Sequence, residues 1–104
     1  MSQLRAEISN RLVKFLDLDT DGRRRLVLEV ILDSGEVTVS SLYKVIKKKF
    51  ETSRKVVASM VGYISSKLGI LRAYKKSYRL PTIYVIREQY VDLVRSVLKS
   101  SAGP

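Results

Sequence analysis

The feature that most constrains the fold of this chain is the pattern between residues 40 and 86, where two short amphipathic segments precede a strand–turn–strand pattern. The spacing of the apolar side chains predicts helices over Ser41 to Phe50 and Arg54 to Leu68, with only three residues between them. Strands are predicted over Ile70 to Tyr74 and Thr82 to Ile86, on either side of a polar turn. We therefore expect helix, tight turn, helix and β-hairpin in immediate succession.

Further elements are predicted on both sides of this segment. Amphipathic patterns indicate helices over Gln3 to Leu16, about Gly22 to Asp33, and Arg87 to Lys99. The β-branched run Val37 to Val39 is a predicted strand, and Ser40 is a suitable N-cap for the helix that follows. The prediction is an α+β fold that is mostly helical, with a small antiparallel sheet.

The chain of 104 residues is long enough for one hydrophobic core, and we expect one domain. Its parts are an N-terminal helix (1–16), a core (21–86), a C-terminal helix (87–99) and a tail that frays (100–104). Because no apolar stretch approaches the roughly 20 residues of a membrane span and no signal peptide opens the chain, we expect a soluble cytoplasmic protein without membrane contact.

The net charge of +10 is unevenly distributed along the chain. Residues 1–52 carry ten basic and eight acidic side chains, a balance of +2, whereas residues 53–104 carry ten basic and two acidic, a balance of +8. Between Tyr43 and Arg87 there are twelve Lys or Arg residues and a single acid, Glu51. This asymmetry predicts a polyanionic partner, nucleic acid before membrane. The alternative is a charged surface that only keeps the protein soluble.

The composition argues against most enzymatic chemistry. The chain has no cysteine and no histidine, so disulfides, thiolate zinc sites, cysteine nucleophiles and the commonest general base are absent. The carboxylates lie mostly in one acidic loop and on scattered helix faces, without a matched base or nucleophile. We expect a protein that is not an enzyme and needs no cofactor.

The acidic loop Asp17 to Gly22 has the first half of a calcium-loop pattern, with aspartates at the first, third and fifth positions and then the turn glycine. The twelfth position, which should supply a bidentate glutamate, is Leu28, and three arginines, Arg23 to Arg25, crowd the site. We therefore expect the aspartates to cap the second helix and to pair with these arginines, and we expect no metal.

The order of helix, strand, helix, turn, helix and hairpin over Val37 to Ile86, about half of the chain, resembles the winged helix-turn-helix fold of many bacterial and archaeal transcription regulators. The chain is also similar to a small uncharacterised archaeal winged-helix family in four short stretches: residues 21–25, 53–57, 67–70 and 90–94. The resemblance implies a winged-helix fold with extra terminal helices and a DNA-binding role, but no particular target or ligand. The long connection Lys75 to Thr82, with Pro81, departs from the pattern and predicts a bent wing.

In this fold the helix Arg54 to Leu68 is the recognition helix. Steps of about 100° per residue place small or basic side chains opposite its apolar stripe. The candidate DNA-binding residues on this helix and its cap are Ser53, Arg54, Lys55, Ser59, Gly62, Tyr63 and Ser66. The first turn meets base edges in related motifs, and the small residues let the helix backbone come close to a groove. We expect modest sequence selectivity; the alternative is a packing face for a partner helix.

Two further basic groups are candidate phosphate contacts. The candidates are Lys44, Lys47 and Lys48 on the preceding helix and Lys75, Lys76 and Arg79 near the hairpin tip. Tyr74 and Tyr78 lie among these cations of the hairpin tip. Tyrosine rings can stack on unpaired bases, and such stacking would favour binding to single strands or RNA. The alternatives are a solvated lysine face and a solvated turn.

The predicted function is binding of double-stranded DNA, as a transcription regulator or chromatin-associated factor. The alternative is a protein–protein interaction module within a larger assembly, because the fold does not determine the function. The helices Gln3 to Leu16 and Arg87 to Lys99 carry more apolar residues than a minimal domain needs, so we expect a homodimer through them. Alternatively, these helices pack on their own domain. The sequence identifies no small-molecule effector.

Overall fold

Helices and short strands alternate along the chain in the computed structural model, which describes residues 2–100. The elements are α1 (Ser2–Asp17), α2 (Arg23–Ser34), β1 (Glu36–Val37), α3 (Val39–Ile46), α4 (Arg54–Tyr63), β2 (Leu71–Tyr74), β3 (Ile83–Ile86) and α5 (Val91–Ser100). A π-helical turn, Ile64–Leu68, extends α4, and a 3-10 helical turn, Glu88–Tyr90, precedes α5. The structure confirms a mostly helical α+β fold. No helix among the described residues is both long and apolar enough to cross a membrane.

The three strands form one antiparallel sheet in the order β1–β3–β2. In the hairpin, Leu71 pairs with Ile86 at the base and Tyr74 pairs with Ile83 at the outer end. Strand β1 pairs with β3, which fixes the hairpin beside the start of α3. This strand order and the succession α2, β1, α3, α4, β2, β3 are consistent with a winged-helix layout.

The hydrophobic core lies between the helices and the base of the hairpin. Helix α3 buries Leu42 and Ile46 completely, and α4 buries Val57 and Val61 in the same way. The π-helical turn and the first residues after it continue the buried surface with Ile64, Leu68, Ile70 and Leu71. Burying a leucine or isoleucine side chain stabilises a fold by about 1.5–3 kcal/mol, so this cluster holds the α3–α4 pair and the hairpin in a fixed arrangement.

The terminal helices pack against the rest of the described chain. Helix α1 contacts α2, α5 and the π-helical turn, and α5 contacts α1 and α2. Their buried residues are Ile8, Leu12, Phe15 and Leu16 on α1 and Val94, Val97 and Leu98 on α5. Two side chains add hydrogen bonds: the guanidinium of Arg5 donates to the Gln89 carbonyl at 2.9 Å, and that of Arg11 donates to the Lys67 carbonyl at 3.2 Å. The apolar stripes of both helices are therefore covered within the chain, apart from Leu4 near the start of α1, which is exposed.

Helix α3 begins two residues earlier than the sequence predicts, and the strand before it is shifted toward the N-terminus. The Thr38 hydroxyl accepts a hydrogen bond from the Ser41 backbone N–H, and the Ser41 hydroxyl accepts one from the Thr38 N–H, both at 3.0 Å. This reciprocal capping box makes Thr38 the N-cap instead of Ser40, and it leaves only Glu36 and Val37 in β1.

The predicted end of α3 and both predicted ends of the last helix are also wrong in detail. Helix α3 stops at Ile46 instead of Phe50, because the backbone N–H groups of Lys48 and Lys49 donate to carbonyls three residues earlier, those of Val45 and Ile46, and close a tighter turn. The last helix is preceded by the 3-10 turn and continues through Ser100, which was expected to fray. The rest of the expected tail, 101–104, lies outside the described residues.

The acidic loop caps α2, as the sequence predicts. Both Asp19 carboxylate oxygens accept backbone N–H groups, from Arg24 and Arg25, and an Asp21 oxygen accepts the N–H of Arg23. The expected pairing with the acidic loop is confirmed for Arg23, whose guanidinium lies 3.2 Å from the Asp21 carboxylate. Because Asp19 is occupied by the backbone, the other two guanidinium groups turn elsewhere: Arg24 donates to the Phe15 carbonyl, and Arg25 pairs with Glu29 and donates to the Leu98 carbonyl.

Candidate nucleic-acid interface

The first turns of α3 and α4 meet through one arginine. The Arg54 guanidinium donates a hydrogen bond of 2.7 Å to the Ser40 hydroxyl, and it also lies 5.7 Å from the centre of the Tyr43 ring. The ammonium group of Lys47 lies 5.2 Å from the centre of the same ring. Cations are attracted to aromatic rings within about 6 Å. Tyr43 therefore holds two cations from different helices beside each other at the exposed edge of the helix pair.

The outward surface of α4 is narrow and carries small side chains. Lys55, Ser59 and Ser66 are exposed, and nothing lies within 4 Å of the position that a Cβ atom would take on Gly62. The Ser66 hydroxyl donates to the Gly62 carbonyl at 2.8 Å, so it lies along the helix instead of projecting from it. The Ser53 hydroxyl caps α4 by accepting the Val56 N–H. The helix backbone is thus accessible along this surface.

Tyr63 lies on the flank of α4 that faces α1. Its ring stacks on Phe15, with 5.8 Å between the ring centres and 15° between the planes, and 46% of the side chain is exposed. One side of this ring is therefore occupied by α1, and the other remains accessible from the groove between α1 and α4. Tyr63 does not extend freely from the surface opposite the core.

The extension of α4 deviates from the predicted regular helix. The Gly69 N–H donates to the Ile64 carbonyl five residues earlier, at 3.1 Å, which is the bonding of a π-helical turn. Gly69 takes a left-handed conformation, with a φ of 73°, and ends the segment. Helix α4 is therefore regular from Arg54 to Tyr63, and the turn that extends it is wider and directs the chain into β2.

The hairpin extends outward from the core. Leu71 at its base is buried, whereas every residue from 72 to 81 is exposed. The tip contains Lys75, Lys76 and Arg79, and none of them contacts a carboxylate in the described chain. No hydrogen bond, ion pair or ring contact among residues 2–100 links this tip to α4.

The twelve lysines and arginines from Lys44 to Arg87 form no ion pair with a carboxylate in the described part of the chain. Within the part of the chain that the structure describes, ion pairs join Arg23 to Asp21, Arg25 to Glu29 and Arg95 to Asp92, and all three lie outside this segment. Lys44 and Lys48, like Lys47, are exposed on or just after α3. Positive charge on α3, α4 and the hairpin is thus not compensated locally.

Sequence analysis did not identify Ser40 and Tyr43 as parts of this surface. Their contacts with Arg54 join residues that are 14 and 11 positions apart, from separate helices. Periodicity within one helix cannot show such pairs, because it depends only on neighbours three or four residues apart. The one sequence feature that could have predicted contacts between the two helices is the short connection Glu51 to Ser53, which brings them close together.

Comparison with known proteins identifies the family. A family described as a protein of unknown function, DUF2551, matches residues 12–94, which cover α2 to β3 and parts of both terminal helices. An uncharacterized protein from Archaeoglobus fulgidus is 33% identical over 97 residues, and the match covers 92% of this chain and 97% of that relative. The match to most of the chain and the near full-length relative lead to one conclusion: this protein belongs to the DUF2551 family.

Proposed function

We propose that the protein binds double-stranded DNA, as a transcription regulator or chromatin-associated factor. In this proposal α4 enters the major groove and the β2–β3 hairpin lies against the sugar–phosphate backbone. The observation that carries the proposal is the uncompensated positive charge on α3, α4 and the hairpin, in a layout that is consistent with a winged helix. A polyanion with grooves wide enough for a helix matches both the charge and the shape.

The basic residues have different proposed roles. Lys55 and Arg54 occupy the first turn of α4, the end of a recognition helix that meets base edges and phosphates. Arg54 makes one hydrogen bond to Ser40, and its planar group has five N–H donors, so donors remain for an acceptor on DNA. We propose that Lys44, Lys47 and Lys48 contact phosphates beside α4, and that Lys75, Lys76 and Arg79 contact them from the hairpin.

The small residues of α4 indicate how the protein reads DNA. Ser59 and Gly62 offer little to hydrogen-bond with base edges, and the hydroxyl of Ser66 is already bonded to its own helix. Specific base contacts usually involve Arg, Lys, Asn or Gln in bidentate geometry. We therefore propose that contacts with the DNA backbone supply most of the affinity and that base selectivity is modest.

Gly62→Ala is expected to raise the stability of the protein and to lower its affinity for duplex DNA. The added methyl group meets nothing within 4 Å, and alanine favours a helix interior over glycine by about 0.5–1 kcal/mol, so the variant is expected to be more stable by that amount. On DNA the same methyl group would hold the helix away from the groove, and we expect duplex affinity to fall by about tenfold, or ~1.4 kcal/mol. Urea unfolding and fluorescence anisotropy measure the two effects.

Ser59→Ala is the matched control for this variant, because it removes an oxygen from the same surface without adding bulk. We expect its duplex affinity to stay within about twofold of the wild type. Unchanged affinity of Gly62→Ala would show that the backbone of α4 does not approach DNA closely.

A specific feature favours the second candidate function, a protein–protein interaction module. A groove of about 410 Å³ lies between the end of α1 and the flank of α4, and its apolar lining includes Leu18, Val56, Met60 and Tyr63. Three of these four side chains are exposed, which is unusual for large apolar residues in one place. Recovery of one stoichiometric protein partner after nuclease treatment, together with no binding to duplex DNA, would favour this candidate.

The proposal includes a homodimer through the terminal helices. The packing of α1 and α5 within the chain covers their apolar stripes but leaves Leu4 and Val13 of α1 53% and 41% exposed. These two side chains are available to pair across a two-fold axis, which would present two copies of α4 to half-sites about one turn apart. Sedimentation equilibrium of the free protein and of its DNA complex distinguishes a dimer from a monomer.

A further inference from the structure

The tip of the hairpin exposes large apolar side chains that do not contribute to the hydrophobic core. Tyr78 is 81% exposed and Leu80 is 48% exposed, and Pro81 beside them is exposed as well. None of the three belongs to the buried cluster or to the partly buried residues that pack against it. Exposed aromatic and aliphatic side chains grouped at a projecting tip are informative, because water favours their burial and folding has not buried them.

The tip has a defined conformation. The Leu80 N–H donates to the Ser77 carbonyl at 3.1 Å, and the Arg79 N–H donates to the Ser77 hydroxyl at 3.2 Å. The Arg79 guanidinium lies 5.7 Å from the centre of the Tyr78 ring, and its Nε donates to the Tyr78 hydroxyl at 3.4 Å. Pro81 restricts the backbone where the turn enters β3. The aromatic ring is therefore held outward beside a cation, with little conformational entropy left to lose on binding.

The surroundings of these apolar side chains indicate the chemistry of their partner. Lys75, Lys76 and Arg79 surround them and have no carboxylate partner in the described chain. The matching ligand is a polyanion that also offers an apolar or aromatic surface between its charges. The minor groove of DNA has this arrangement, because base pairs form its floor and phosphates line both of its sides. The exposed lysines and arginines of α3 and α4 would bind the phosphates of the same duplex.

We propose that Tyr78 and Leu80 form a wedge that enters the minor groove and separates two adjacent base pairs, so that the protein kinks the DNA to which it binds. The inference rests on the proposed function, because it needs the wing to lie on duplex DNA. Apolar side chains inserted between base steps unstack them and bend the duplex away from the minor groove by about 20–90°. Pyrimidine–purine steps unstack most easily, so the wedge supplies a preference for such steps without any hydrogen bond to a base.

The test measures the bending stiffness of single DNA molecules with the full chain bound, because a binder with modest selectivity occupies many positions. Free DNA has a persistence length of about 50 nm. A kink of about 40° for every 30 base pairs or so of bound DNA lowers the apparent persistence length roughly twofold. The wild-type protein is expected to produce this decrease, and anisotropy with a short duplex measures affinity in parallel.

Two variants distinguish the effect of the apolar wedge on DNA bending from the effect of the surrounding positive charge on affinity. Tyr78→Ala with Leu80→Ala retains all three cations, so we expect duplex affinity within about threefold of the wild type and a persistence length close to that of free DNA. Tyr78→Phe retains the ring and is expected to keep the decrease. Neither change removes a core contact, so the melting temperature is expected to stay unchanged.

The outcomes are distinguishable from those that test DNA binding itself. Duplex binding without softening of the DNA, or softening that persists in the double variant, would overturn the wedge while DNA binding stands. Preference for a matched single strand would overturn it in favour of stacking on unpaired bases. Binding to vesicles that contain anionic lipid, with no binding to duplex DNA, would overturn both the wedge and the proposed function.

Discussion

Replacing Lys75, Lys76 and Arg79 together with glutamine is expected to make the slope of log duplex affinity against log salt concentration shallower by about 2.7 per bound protomer. Each phosphate contact releases condensed counterions and contributes about −0.9 to this slope, and three contacts are removed. All three side chains lie at the exposed tip of the hairpin without a carboxylate partner, so their loss leaves no buried group unpaired and the fold intact. Anisotropy titrations across salt measure the slope.

The control for this variant changes the charge by the same amount elsewhere. Lys14, Arg95 and Lys99 are exposed on α1 and α5, and Arg95 forms an ion pair with the exposed Asp92. Their replacement by glutamine also lowers the net charge by three, and we expect the slope to change by less than about 0.5, because exposed charges farther than about 10 Å from DNA are largely screened. Equal effects from both triple variants would indicate general electrostatic attraction without a defined wing contact.

Leu12→Ala is expected to lower the free energy of unfolding by about 2–5 kcal/mol. Leu12 is completely buried in α1, where the helix meets the core, and truncation would leave a cavity among residues that are also fully buried. The total stability of a domain of this kind is about 5–15 kcal/mol, so this single change removes a large part of it. Urea unfolding followed by circular dichroism measures the loss.

The neighbouring Val13→Ala is the control, because Val13 is exposed on the same helix. We expect its unfolding free energy to stay within about 0.5 kcal/mol of the wild type at low protein concentration. A small effect of Leu12→Ala would mean that α1 is an appendage and not part of the core. A large effect of Val13→Ala that depends on protein concentration would instead support the proposed dimer through this helix.

The fold was largely predictable because apolar periodicity determines which helix surfaces are buried. The stripe Val57, Val61 and Ile64 is fully buried, as its spacing indicates, and strands β2 and β3 each begin within one residue of the predicted start. The errors lie at the ends of helices and strands, because local hydrogen bonds determine the residue at which each element begins or ends. The capping box of Thr38 and Ser41 moves the start of α3, and the i to i+5 hydrogen bond of Gly69 produces a π-helical turn. Periodicity carries no information about such bonds.

The candidate site was predictable in composition but not in detail. Lys55, Lys75 and Lys76 are exposed, as expected of charged side chains outside the apolar stripes. The bond from Arg54 to Ser40 and the stacking of Tyr63 on Phe15 join different helices, and helix packing is not encoded in local spacing. Both contacts restrict side chains that the sequence predicts as candidates for DNA binding.

Duplex DNA binding is tested most directly by fluorescence anisotropy with a random duplex of about 30 base pairs, titrated across salt with the matched single strand as competitor. The eight lysines and arginines that each protomer is proposed to turn toward DNA set a limit of about −7 per bound protomer for the slope of log affinity against log salt. We predict a steep slope that approaches this limit and a duplex that the single strand does not displace. A flat salt response, or no binding at low salt, would contradict the proposed function.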